Sequence, residues 1–187
     1  TQEFDEVERQ HPYSLWARGA MEMAAYSYYL KNKYDEAVAK TRRSLASYPV
    51  KSQAPYAYYL IAMSYYERIS DVGRDQRTTE SARVALQEII RRYPDSDYAR
   101  DARLKLDLTE DNLAGKEMSV GRFYLARREY AAAAIRFRLV IERYGRTSHV
   151  PEALHRLTEV YISLGIPADA QNAAAVLGYN FPDSPWY

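Results

Sequence analysis

The chain has 187 residues with 26 basic and 25 acidic side chains, and a net charge of +1 gives no reason to expect a nucleic acid or an anionic membrane surface as partner. Hydrophobic residues make up 47% and charged residues 27%, which excludes a mainly disordered chain. Cysteine is absent, so a disulfide framework, a thiolate metal site and a cysteine nucleophile are excluded as well.

Helix-ending signals recur along the chain at similar intervals. Glycine and proline are scarce, at 7 and 8 residues, which favours long helices. Between the helix ends, a small residue is followed three positions later by a tyrosine, and in three units an alanine comes nine positions after that tyrosine. The helix ends are His11-Pro12, Tyr48-Pro49, Tyr93-Pro94, Tyr144-Gly145 and Phe181-Pro182. The recurring residues are Ala25/Tyr28/Ala37, Ala62/Tyr65, Gly121/Tyr124/Ala133 and Thr158/Tyr161/Ala170.

This spacing resembles the tetratricopeptide repeat, a pair of antiparallel helices called A and B. The resemblance implies an all-α solenoid of helical hairpins. The small residue lets helix A approach helix B, the aromatic residue fills the space between hairpins, and the alanine lies where the two helices cross. A proline ends the unit because it cannot continue a helix.

The units follow one another with one irregularity. Residues 1–12 match the end of a helix B, so we expect the chain to begin inside a first repeat. The second repeat is predicted over 13–49 and the third over 50–94. In the third, seventeen residues separate Tyr65 from Ala82, eight more than the spacing elsewhere. The surplus predicts an extended loop over residues 70–76, because glycine and aspartate favour turns.

The loop aspartates invite comparison with a calcium site. Asp71 and Asp75 flank Gly73, as aspartates flank glycine in calcium loops. The bidentate glutamate of such a loop is missing at the required spacing. We therefore predict a loop held by its own hydrogen bonds.

One long helix is predicted to join the third and fourth units. Asp95-Ser96-Asp97 offers an N-cap, and no proline then interrupts the chain before Pro151. The pattern reads as helical from Tyr98 to Arg128. The long helix and the fourth repeat occupy residues 95–145, and residues 146–187 form the fifth repeat and the start of a C-terminal cap.

Motifs for catalysis are not evident. The sequence has neither a glycine-rich phosphate loop nor a zinc hydrolase signature. His155 and Glu159 are four residues apart on a predicted helix, which favours a surface pair over a metal site. We predict neither an enzyme nor a cofactor-binding or metal-binding protein.

Helical geometry predicts which side chains line the inner face of the A helices. These positions lie one and four residues after the small residue, and three and six before it. Aromatic groove residues suit apolar or aromatic peptides, since tyrosine combines contact area with a hydroxyl. Packing against a neighbouring repeat is the alternative role. The predicted groove comprises Tyr26, Tyr29, Tyr56, Tyr59, Met63 and Tyr66, and the candidate partner-docking region comprises Arg122, His155 and Glu159.

Beyond the repeat, six stretches resemble one family, the outer-membrane β-barrel assembly lipoproteins of the BamD type. The 70–76 loop and the long helix are the most specific features of this likeness. The stretches are FDEVERQHPYS at 4–14, APYAYYLI at 54–61, ISDVGRDQ at 69–76, YPDS at 93–96, LAGKEM at 113–118 and VPEAL at 150–154.

The resemblance implies a periplasmic lipoprotein of five repeats on the inner leaflet of the outer membrane. Its implied partners are the POTRA domains of the barrel protein BamA at the C-terminal repeats, further assembly lipoproteins, and unfolded outer-membrane proteins. The N-terminal repeats would receive these clients through a targeting signal that ends in an aromatic residue. The family's acylated cysteine has no counterpart here, so we expect the lipid anchor to lie outside this chain.

A generic tetratricopeptide adaptor is the rival interpretation, either a coordinator of cell-wall enzymes or a cytosolic chaperone adaptor. Cytosolic adaptors that clamp a carboxylate need lysine and arginine at the inner positions of helix A. Here those positions are mostly tyrosine, which argues against that version.

Overall fold

The computed structural model describes residues 2–10, 14–47 and 54–187. All regular secondary structure in these ranges is helical, which confirms the predicted all-α class. The predicted helix ends at His11-Pro12 and Tyr48-Pro49 lie outside the described residues. The helices are α1 (Gln2–Gln10), α2 (Leu15–Leu30), α3 (Tyr34–Ser47), α4 (Ala54–Tyr66), α5 (Arg77–Arg92), α6 (Asp97–Ala126), α7 (Tyr130–Arg143), α8 (Val150–Ser163) and α9 (Pro167–Asn180).

The helices form two compact units. The first unit contains Thr1–Ile69 and Arg77–Thr109, and the second contains Ser70–Gln76 and Glu110–Tyr187. Helix α6 therefore contributes its first part to one unit and the remainder to the other. Within each unit, helices that follow one another in the chain pack together as hairpins. None of the helices in the described ranges is both long and apolar enough to cross a membrane.

The small residues of the repeat pattern lie in the core, except Thr158, which is half-buried. A buried alanine lets two helix backbones approach closely, so larger side chains can fill the adjacent space. In the first unit Ala62 lies in one cluster with Leu86 and Ile89, while in the second unit Gly121 faces the ring of Phe137. The buried small residues are Ala25, Ala37, Ala62, Ala82, Gly121, Ala133 and Ala170.

Helix α6 is the predicted long helix, with 30 residues. It begins after Ser96, whose Oγ accepts a hydrogen bond from the backbone N–H of Ala99 at 3.1 Å and so caps the first turn. Two glycines inside the helix permit close packing. A Cβ added at Gly115 would lie 3.2 Å from Nε2 of His149, and one at Gly121 would lie 2.5 Å from the Phe137 ring.

The 70–76 loop is closed by its own hydrogen bonds. Oδ1 of Asp71 accepts the N–H of Gly73 at 2.8 Å, and the Gln76 amide donates to the carbonyls of Asp71 and Arg74 at 3.2 and 3.1 Å. Lys116 of α6 donates to the Gly73 carbonyl at 3.3 Å, which holds the loop in the second unit. Across the described ranges, no group of three or more side chains is arranged to hold a metal ion.

Within the described residues, three short hairpin turns share one backbone geometry. A single residue in each turn adopts left-handed φ, and the N–H of the next residue donates to the carbonyl of the repeat tyrosine at 2.9 Å. A Schellman motif has two backbone hydrogen bonds, and this is the one that spans more residues, from an N–H to the carbonyl five positions earlier. The motif ends a helix and satisfies its last carbonyls. The left-handed residues are Asn32 (57°), Arg128 (62°) and Gly165 (72°), and the donor–acceptor pairs are Lys33–Tyr28, Glu129–Tyr124 and Ile166–Tyr161.

The turn geometry predicts opposite effects of glycine and alanine. Arg128→Gly should raise the free energy of unfolding by about 0.5–1 kcal/mol, because the left-handed conformation strains any residue with a Cβ. Gly165→Ala should lower it by about 1 kcal/mol for the same reason. Urea denaturation followed by far-UV circular dichroism measures both. Arg127→Gly, one residue earlier and without positive φ, serves as control and should not raise the free energy of unfolding; an equal gain in both arginine variants would disprove the strain.

Candidate functional site

Five tyrosines of the first unit form a surface on α2, α4 and the start of α6, called the tyrosine surface below. Tyr26 and Tyr29 stack with ring centroids 6.3 Å apart, and Tyr98 lies 5.9 Å from Tyr56 and 5.1 Å from Tyr59. These separations are those of interacting aromatic pairs. Tyr26 lies near enough to Tyr56, and Tyr29 near enough to Tyr59, to add to the burial that raises the pKa of Tyr56 and of Tyr59. The fold thus places two of the six predicted groove residues, Tyr56 and Tyr59, against one unpredicted ring, Tyr98, and stacks two more, Tyr26 and Tyr29, on each other.

Carboxylates hold two of the phenol groups in place. The Tyr29 hydroxyl donates to Oε1 of Glu67 at 3.4 Å, and the Tyr59 hydroxyl donates to Oδ2 of Asp101 at 2.5 Å. Lys105 lies 3.3 Å from the same carboxylate oxygen of Asp101. The hydroxyls are therefore oriented, while 39% of Tyr26 and 37% of Tyr98 remain exposed to a ligand.

The pKa values of these groups follow from burial and from the carboxylates. Burial, together with the nearby charge of Glu67, raises the pKa of Tyr29 to about 12. Burial and the hydrogen bond to Asp101 also raise the pKa of Tyr59. The hydrogen bond from Tyr59 lowers the pKa of Asp101, and Lys105 lowers it further. At neutral pH the phenols are thus protonated donors and Asp101 is ionised.

Met63 and Tyr66 occupy different environments from the five rings. Met63 is 8% exposed, so we assign it to packing within the helical layer rather than to ligand contact. Tyr66 is half-buried and packs against the core cluster that contains Leu86. The ammonium of Lys105 lies 5.2 Å from the centroid of the Tyr66 ring, in a cation–π contact.

The three candidate docking residues belong to a charged network in the second unit. Nη1 of Arg122 donates to both carboxylate oxygens of Glu152 at 2.9 Å, which joins α6 to α8. Arg156 donates to Oε2 of Glu159 at 2.9 Å. Nε2 of His155 lies 3.6 Å from Oε1 of Glu159, so the predicted surface pair of His155 and Glu159 is confirmed. The network leaves 44% of the Arg122 side chain and 37% of the His155 side chain exposed.

Trp186 packs against one side of this network. Its ring lies 5.5 Å from the ring of His155 and 5.3 Å from the guanidinium carbon of Arg156. The indole also packs on the apolar cluster that contains Leu154 and Leu177. A partner that contacts His155 would therefore meet an aromatic side chain beside the charges.

Several of these residues lie outside the sequence predictions. Tyr98, Asp101 and Lys105 precede the fourth repeat, where the repeat register assigns no inner positions. Their spacing of three and four residues, which places side chains on one helix face, is the signal that identifies them. Glu152 pairs with Arg122 across α6 and α8, which no local pattern indicates. Arg156 pairs with Glu152 and Glu159 within α8, and these spacings of four and three residues are a signal that could have identified it.

Comparison with known proteins connects this chain to one family. The family model YfiO, described as outer membrane lipoprotein, matches residues 1–177. Three relatives share the name outer membrane protein assembly factor BamD. The one from Caulobacter vibrioides is 51% identical over 98% of this chain and 60% of its own length. The one from Rickettsia prowazekii is 44% identical over 100% of this chain and 74% of its own length. The one from Neisseria meningitidis serogroup A is 34% identical over 98% of this chain and 72% of its own length.

Proposed function

The chain belongs to the YfiO family of outer membrane lipoproteins, and on that premise we propose that it is a scaffold for outer membrane protein assembly at the periplasmic face of the outer membrane. In this role it binds a POTRA domain of BamA, works beside other assembly lipoproteins and receives unfolded outer-membrane proteins, without catalysing a reaction. A lipid anchor would hold the protein to the membrane, in keeping with the description of the family as outer membrane lipoproteins. The name shared by the relatives supports the role. The chain spans 60% of the Caulobacter relative, so the activity and partners of the whole protein are part of the proposal.

The tyrosine surface is the observation that best supports binding of unfolded outer-membrane proteins, the clients. Its neighbouring rings are spaced 5.1 to 6.3 Å apart. Alternate side chains on one face of an extended segment are about 7 Å apart. An extended client segment can therefore set successive aromatic side chains against successive rings. The protonated hydroxyls of Tyr29 and Tyr59 lie at the same surface and add polar contacts.

Loss of the rings should abolish most client binding. Combined substitution of Tyr56, Tyr59 and Tyr98 by alanine should weaken binding of a peptide from the last strand of an outer-membrane barrel by at least about tenfold, since an aromatic pair adds about 0.5–1.5 kcal/mol. Fluorescence anisotropy measures the affinity, and circular dichroism verifies folding. Tyr179→Ala is the matched control, because Tyr179 is 87% exposed in the second unit. Unchanged affinity in a folded triple variant would disprove the client site.

We assign BamA docking to the network of Arg122, His155 and Glu159. Arg122→Ala removes an exposed cation and should weaken binding of the BamA POTRA domains about fivefold, mainly through slower association. Surface plasmon resonance measures this change, and Arg127→Ala, another exposed arginine of the same unit, is the control. A fall in thermal stability with unchanged affinity would show that Arg122 serves only to pair Glu152, whose side chain is 13% exposed.

A further inference from the structure

Carboxylates lie beside the tyrosine surface. Glu67 accepts the hydroxyl of Tyr29 and Asp101 accepts that of Tyr59, while Glu22 interacts electrostatically with Tyr56. The ammonium of Lys105 is paired with Asp101. The surface therefore combines ring faces with carboxylates that accept hydrogen bonds from two of its phenols.

The first unit already places cations on tyrosine rings. Lys105 lies 5.2 Å from the ring centroid of Tyr66, and the guanidinium carbon of Arg92 lies 5.2 Å from that of Tyr58. Such contacts arise because the face of an aromatic ring carries negative potential. On the tyrosine surface itself, the rings of Tyr26 and Tyr98 are partly exposed and lie beside the rings that interact with the carboxylates, so a cation from a ligand can reach them.

We infer that the tyrosine surface selects extended segments in which a lysine or arginine lies two residues from an aromatic residue, so that both project from the same face of the segment. This inference rests on the proposed client function and specifies the clients. A cation at that position reaches both a tyrosine ring and a carboxylate such as Glu67 or Asp101. A glutamate there meets like charge within the screening length of about 8–10 Å at physiological salt. A lysine one residue from the aromatic projects from the opposite face and loses the contact.

Three peptides of equal length distinguish the effect of the position of the charged residue from the effect of the peptide's net charge. The first is acetyl-Gly-Phe-Ser-Lys-Ser-Phe-Gly-amide, the second replaces its lysine by glutamate, and the third moves the lysine next to the first phenylalanine. The amide and acetyl groups remove terminal charges. The first peptide should bind this chain about tenfold tighter than the second, which is the scale of one or two charge contacts. It should also bind about threefold tighter than the third, and the preference over glutamate should shrink in about 1 M salt, where the screening length is about 3 Å.

Two variants locate the source of the preference. Glu67→Gln and Asp101→Asn keep a hydrogen-bond acceptor for Tyr29 and Tyr59 but remove the charge, so each should reduce the preference for lysine over glutamate at least about twofold. Asp107→Asn, an exposed carboxylate on the same helix as Asp101 and outside the tyrosine surface, should leave it unchanged.

The outcomes distinguish this inference from the proposed function. Equal affinity for the three peptides, or an undiminished preference in both Glu67→Gln and Asp101→Asn, overturns the selectivity and leaves the client site standing. Absence of binding by these peptides and by a barrel-derived peptide overturns both.

Discussion

Phe137→Ala is expected to lower the free energy of unfolding by about 3–5 kcal/mol, because truncation of the ring leaves a cavity in a close-packed core. Phe137 is fully buried in the second unit, in a cluster with Met118, Val140 and Leu157. These neighbours come from three helices that also pack elsewhere, so they cannot collapse into the space that the ring leaves. Urea denaturation followed by far-UV circular dichroism measures the loss.

Two further variants test whether the cavity causes that loss. Phe137→Leu keeps most of the side-chain volume and should lower the free energy of unfolding by about 1–2 kcal/mol. Ile135→Ala, on the same helix at a side chain that is 66% exposed, should change stability by less than about 0.5 kcal/mol. A loss below about 1 kcal/mol for Phe137→Ala would contradict the close packing described for this cluster.

Gly121→Ala should also destabilise the protein, because Gly121 is the residue of α6 that packs against the Phe137 ring. The new Cβ would lie 2.5, 2.9 and 3.0 Å from three carbons of the Phe137 ring, closer than van der Waals contact allows. The ring is enclosed, so relief requires a shift of α6 or α7, which costs about 1–3 kcal/mol. Alanine has a better helix propensity than glycine by about 1 kcal/mol, so the net loss is smaller than the cost of the clash. The melting temperature is the measurement.

Gly19→Ala is the matched control for helix propensity. Gly19 is also a helical glycine, but a Cβ there meets nothing within 4 Å, so the same substitution should stabilise by about 0.5–1 kcal/mol. The double variant Gly121→Ala, Phe137→Leu should lose less free energy of unfolding than the two single variants together, because leucine leaves room for the methyl group of the new alanine. Gains of equal size at Gly19 and Gly121 would show that the ring contact does not constrain Gly121.

The hairpin architecture was predictable because its determinants are local. The spacing of small residue, tyrosine and alanine identifies helix crossings, and the capping residue Ser96 with a proline-free stretch identifies α6. Its predicted extent, Tyr98 to Arg128, differs from Asp97–Ala126 at the end, because Arg128 adopts left-handed φ in the turn. Helical continuation fails there for a reason that no propensity of arginine indicates.

The site was only partly predictable, because exposure depends on neighbouring helices. Met63 and Tyr26 hold equivalent repeat positions, yet Met63 is 8% and Tyr26 39% exposed. Position within the repeat gives the direction of a side chain, whereas its burial depends on which helix packs beside it. Tyr98 lies outside the repeat register, and its contacts with Tyr56 and Tyr59 are long-range in sequence, so the repeat pattern could not identify it.

The shared geometry of the short turns also supplies the chain with three amide reporters. The N–H groups of Lys33, Glu129 and Ile166 each bond to a repeat tyrosine carbonyl across a different turn. Each proton exchanges with solvent only when its own hairpin end opens. Three resolved exchange rates would therefore report the local opening free energies at the α2–α3, α6–α7 and α8–α9 turns in one experiment, and a ligand that orders one of these hairpins would slow one of the three rates.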